Sequence, residues 1–131
     1  VEFVGYAPYD LMAAYLKKSD ILVNSFVKKA PQSIVTKIAD YLAAGKPMIN
    51  TCMSPEFRAK VKNDGFGVNI IPEDVNILAD MIEKLYKNEE ARVKMGEKAR
   101  KIAEEQFDRP KSYRKIEELI RGLIEKNQNR N

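Results

Sequence analysis

Four short apolar runs, separated by helical patterns, constrain this chain more than anything else in it. They are VEFVG (1–5), DILVN (20–24), PMINT (47–51) and FGVNII (66–71). Each is short and nearly continuous, as suits a strand covered on both faces of a parallel sheet. Between them the period changes. Residues 8–18 put Leu11, Met12, Tyr15 and Leu16 on one side of a helix. Residues 33–44 read as a second helix. A third starts at Ser54-Pro55-Glu56, with Ser as N-cap and Pro at the first helical position. It ends near Asn63-Asp64-Gly65, a turn signature. Strand–helix alternation predicts an α/β fold: a Rossmann-like parallel sheet of about four strands, right-handed crossovers, and helices on both faces. Three helical segments then follow with no strand, at 74–88, 90–106 and about 110–126. The last carries an apolar stripe of Tyr113, Ile116, Leu119, Ile120, Leu123 and Ile124. Such a stripe packs either on its own domain or on another domain or chain.

The 131 residues are one domain's worth. Composition closes off several kinds of chemistry. The chain has no histidine and a single cysteine, Cys52. That removes histidine-based triads, a histidine general base, an internal disulfide and any ordinary zinc site. A lone cysteine fits a reducing compartment. The net charge of +4 arises from interleaved Lys and Glu, with no basic patch among aromatics, so nucleic acid is not an expected partner. No apolar run approaches the roughly 20 residues that span a bilayer, and no signal peptide is visible.

The helix at 33–44 has an unusual outer face. Ile34, Ile38, Tyr41 and Leu42 share its apolar side; Ser33, Thr36, Lys37, Asp40 and Ala44 share the other. This face begins just past the end of strand 20–24. Open α/β sheets bind ligands outside the carboxyl ends of their strands, and helix N-termini there offer free N–H groups to phosphate. Gln32, Ser33 and Ile34 would supply those amides, and Lys37 a point charge one turn in. Asp40 lies about 12 Å from Gln32 along the helix, the span of a nucleoside diphosphate, and could accept from ribose hydroxyls. The plain alternative is a solvated face in which Ser33 caps the helix and Lys37 pairs with Asp40, worth about a few tenths of a kcal/mol. Ala43-Ala44-Gly45-Lys46-Pro47 reads as packing and punctuation: small residues for close helix-to-sheet approach, a left-handed cap, then a stop.

TKIADYLAAGKPMINT resembles the donor-site helix and following strand of retaining glycosyltransferases with two Rossmann-like domains, the GT-B fold. The familiar string there is Leu-Glu-Ala-Met-Ala-Ala-Gly-Lys-Pro-Val-Ile. Other pieces agree in order: VEFVGY, SDILVNS, NDGFGVNIIPED and the helical tail LADMIEKLYKNEEARVKMGEKARKIAEEQFD. Within the large family 4 type, the string SIVTK is similar to a bacterial surface-polysaccharide subgroup with Pro-Ser-Lys at this point. The family's Gly-Gly loop after the strand at 47–51 is replaced by Cys52-Met53-Ser54.

The resemblance implies a nucleotide-diphosphate sugar donor and a glycan or lipid-linked acceptor, with transfer by retention. No cofactor and no metal is expected, the nucleotide sugar being a substrate. Of the family's two acids, the one at the sugar falls on Gln32, the position of catalytic interest, and the one at the ribose falls on Asp40. Lys37 would lie near the diphosphate, with Ser33 and Ile34 alongside, and Gly5 and Tyr6 would line the nucleobase. Residues 1–131 would form a partial donor domain lacking its first strands, the fragment being inactive alone. The helix at 108–127 would pack on a missing acceptor-binding domain. Strand 20–24 would then have a bare edge, which predicts self-association or a rearranged VEFVG. The implied location is the cytoplasm or the inner membrane face. Gln32 in place of an acid also fits a degenerate, non-catalytic binding module.

Overall fold

The computed structural model describes residues 1–30 and 36–128. The elements run α1 (Tyr9–Lys18), β1 (Leu22–Asn24), α2 (Lys37–Ala43), β2 (Met48–Asn50), α3 (Pro55–Asp64), β3 (Gly67–Asn69), α4 (Val75–Lys87), α5 (Glu89–Gln106) and α6 (Arg109–Gln128). The sheet is open and parallel, in the order β1-β2-β3. The α/β class expected from the alternation is what forms.

Side-chain alternation on β2 explains the layering. Met48 points into a cluster with Ile38 and Leu42 of α2, Phe57 and Val61 of α3, Phe66, and Ala99, Ile102 and Ala103 of α5. Ile49 points the other way, toward Ile70, Leu85 and the inner faces of α4 and early α5. Strands joined in consecutive order by crossovers of one hand put α2 and α3 on the same face. Helices therefore cover both faces, and β2 is buried throughout.

Local signals hold where they were strongest. The Ser54 hydroxyl accepts from the Phe57 N–H at 3.4 Å and Pro55 opens α3. Asp74 caps α4 through the Ile77 N–H at 3.0 Å. Gly45 ends α2 with φ 66°, the left-handed cap expected. The close approach made by this turn differs from the expectation, however. Its partner is α5 and not the sheet: a Cβ on Gly96 would fall 2.3 Å from the Gly45 carbonyl oxygen. Arg100 of α5 also donates to the Ala43 carbonyl at 2.9 Å. The AAG patch is small because a second helix crosses it.

One expectation is corrected, one alternative is narrowed, and one reading falls partly outside the described residues. Residues 1–5 are not a strand, so among the described residues the sheet has three strands where about four were expected. A strand needs a neighbour to take its N–H and C=O row, and no described strand flanks this run; Phe3 stands 93% exposed. The stripe of α6 does not pack on its own domain. Its six large apolar side chains are all exposed. The helix read as 33–44 is described only from Lys37, so its expected start lies outside the described residues. Among the described residues, no helix is long and apolar enough to cross a membrane.

Candidate donor site

The carboxyl ends of the three strands share one feature. Each strand ends in asparagine, and the register aligns Asn24, Asn50 and Asn69 in a row. Asn24 Nδ2 donates to Asn50 Oδ1, and Asn50 Nδ2 to Asn69 Oδ1, each at 2.8 Å. Backbone groups fix the direction of this chain. The Cys52 N–H donates to Asn50 Oδ1 at 3.2 Å, and Asn69 Nδ2 donates to the Arg58 carbonyl at 2.8 Å. The amides cannot flip without losing both anchors. Asn24 must then present its Oδ1 away from the row, and among the described residues that buried atom has no hydrogen-bond partner. Arg58 of α3 ties the same end of the sheet together by donating to the Ile70 carbonyl at 3.0 Å. The row makes a stiff floor at the end of the sheet where α/β folds receive ligands. The sequence carried a sign of it: three apolar runs each reach an Asn after two or more apolar or small residues.

The helix α2, which follows β1, carries Lys37 and Asp40. The surface ion pair considered between them does not form among the described residues. The Lys37 ammonium lies over the rings of Phe26 and Tyr41, 5.3 and 5.6 Å from their centroids. Cation–π attraction holds it there. Partial burial lowers its pKa, and burial raises that of Tyr41. Asp40 instead accepts from the phenol of Tyr9, the first residue of α1, at 3.0 Å. That hydrogen bond, and then the charge of Asp40, raise the pKa of Tyr9. Lys37 and Asp40 are thus held by different partners one turn apart.

The other expected site residues divide. Gln32, Ser33 and Ile34 lie outside the described residues. Gly5 and Tyr6 belong to the exposed segment before α1, and it is Tyr9 that reaches Asp40. Tyr9 had no sequence signal as a site residue: it reads as an ordinary helix-start residue, and only the packing of α1 against α2 brings the two together. A cavity of about 830 Å³ lies between α1, the end of α2 and α5, with Tyr9 and Asp40 in its lining. Its lining includes Asp20 and Pro47, just before β1 and β2. It therefore opens toward the amino ends of the strands, the end opposite to that used by α/β ligand sites. Among the described residues no cluster of carboxylates or sulfur could hold a metal ion.

The family described as "Glycosyl transferases group 1" matches residues 1–102, a span that ends within α5. Among curated proteins and among solved structures, none matches the chain.

Proposed function

Because the chain belongs to the glycosyl transferases group 1 family, whose activity is sugar transfer from a nucleotide-sugar donor, we propose that it supplies the nucleotide end of the donor site. In this reading Asp40 accepts a hydrogen bond from the ribose and Lys37 faces the diphosphate. Gly5 and Tyr6 flank the base. Gln32, with Ser33 and Ile34, stands at the sugar and phosphate end. Transfer proceeds with retention to a glycan or lipid-linked acceptor. The setting is the assembly of a bacterial surface polysaccharide, in the cytoplasm or at the inner membrane face, by an enzyme of the family 4 type.

One observation carries the proposal. Lys37 and Asp40 stand one turn apart on α2, the helix that follows β1, and among the described residues neither neutralises the other. An opposed pair would be silent toward a ligand; this pair keeps a cation and an anion for separate groups. A fixed cation beside a departing diphosphate lowers the barrier most because it needs no reorganisation when the charge develops. No metal is required for that step. The apolar stripe of α6 supports a second contact, with an acceptor-binding domain.

Calorimetric titration of UDP and GDP into the chain tests the assignment. The expected result is binding of one of them, weakened at least tenfold by Asp40→Ala and by Lys37→Met. Equal affinity of Asp40→Ala and the parent would end the ribose assignment. Absence of binding by the parent chain would end the donor-site reading.

A further inference from the structure

Asp40 has two carboxylate oxygens, and the protein already uses one. The phenol of Tyr9 donates to Oδ1 at 3.0 Å across 31 residues of sequence. Among the described residues no other side chain donates to this carboxylate. Tyr9 is itself 66% exposed and its phenol makes no other hydrogen bond among the described residues, so the contact does not serve core packing. It joins the first residue of α1 to the middle of α2, two helices that otherwise touch lightly.

We propose that Tyr9 is a positioning residue for ligand binding: it holds Asp40 Oδ1 and leaves Oδ2 to read a single ribose hydroxyl. The inference rests on the donor-site reading above and goes beyond it. A free carboxylate rotates about its terminal torsion and could accept from both ribose hydroxyls in turn. A carboxylate pinned by a phenol presents one oxygen in one direction. The bond is charge-assisted, which makes it stronger than a neutral pair. The site should then distinguish the two ribose hydroxyls, where an unpinned acid would take both.

The test uses the whole chain and UDP or GDP, whichever binds, with the 2′-deoxy and 3′-deoxy forms of that nucleotide. The parent should lose about tenfold in affinity on removal of one hydroxyl and little on removal of the other. Tyr9→Phe keeps the ring and removes only the O–H. It should weaken the ribonucleotide about fivefold, the scale of one net hydrogen bond, and erase the difference between the two deoxy forms. In an Asp40→Ala background, Tyr9→Phe should change nothing further, since residues acting through one another are not additive. A structural role for Tyr9 would add its effect in both backgrounds.

Tighter binding by Tyr9→Phe would overturn the proposal, because the phenol would then be a competitor for the ribose place. So would unchanged binding by Tyr9→Phe alongside a loss in Asp40→Ala; that outcome leaves the donor site standing. If the parent binds no nucleotide, the donor-site reading falls and this inference falls with it.

Discussion

Ile49 and Ile120 are the same side chain in two regions that look alike in sequence. Each sits in an apolar pattern of the right period, one for a strand and one for a helix. Ile49 on β2 is 0% exposed, whereas Ile120 on α6 is 52% exposed. The strand lies between two layers of helices. The helix has its stripe turned to solvent. Periodicity thus says which face of an element is apolar; it does not say whether the same chain supplies a cover.

The largest expected effect tests that contrast directly. Ile49→Ala should cost about 2–5 kcal/mol in urea unfolding, as cavities in tight cores do. Ile120→Ala in the same chain should cost under about 0.5 kcal/mol. A large cost at Ile120 would mean that α6 is covered in solution. A second pair contrasts the middle and the end of the asparagine row. Asn50→Leu leaves the Cys52 N–H, Asn24 Nδ2 and Asn69 Oδ1 without their recorded partner. It should cost about 2–3 kcal/mol. Asn24→Leu removes one hydrogen bond, to an Asn50 Oδ1 that keeps the Cys52 N–H, together with a buried acceptor that has no partner among the described residues, so its cost should be about 1 kcal/mol or less. Equal costs would mean that Asn24 Oδ1 is satisfied after all.

A third test falls on the helix crossing. Gly96→Ala drives a methyl onto the Gly45 carbonyl oxygen and should destabilise by about 2 kcal/mol. Gly122→Ala on α6, where nothing lies within 4 Å of the added carbon, should instead stabilise by about 0.5–1 kcal/mol through helix propensity. The smallest effect is electrostatic. Burial lowers the Lys37 pKa below the ordinary 10.5, so the folded chain releases that proton before the unfolded one does. Between the two values the unfolded state holds more protons, and stability rises with pH. Tyr41, raised above 10.0 by burial, acts oppositely, since the folded chain keeps its phenol proton longer. Subtracting the stability curve of Lys37→Met isolates the lysine. The parent should gain on the variant as pH climbs toward 10.5; a flat difference would show that Lys37 is freely solvated.

Much of this fold was legible without coordinates, and the reason is local. Ser54-Pro55 and Gly45 announce helix ends because their capping groups act within a few residues. The runs at 20–24, 47–51 and 66–71 announce buried parallel strands because both faces must be apolar. Even Lys37 and Asp40 could be named as candidates, since they share a face of a helix that follows a strand.

What the chain alone left undecided depends on residues far apart in sequence. The run at 1–5 has strand composition, but strandhood is a property of pairs, and no described strand pairs with it. The Lys37–Asp40 pair was a fair local expectation, yet Phe26, Tyr41 and Tyr9 each offered a better contact. The need for glycine at 96 comes only from the end of α2 laid across it. The sequence by itself determined the alternation, the caps and the apolar faces, because these are set by short-range sterics and side-chain period. Only the tertiary structure decided which faces are covered and which polar atoms remain free, because burial and hydrogen bonding are settled by what other parts of the chain bring within a few ångströms.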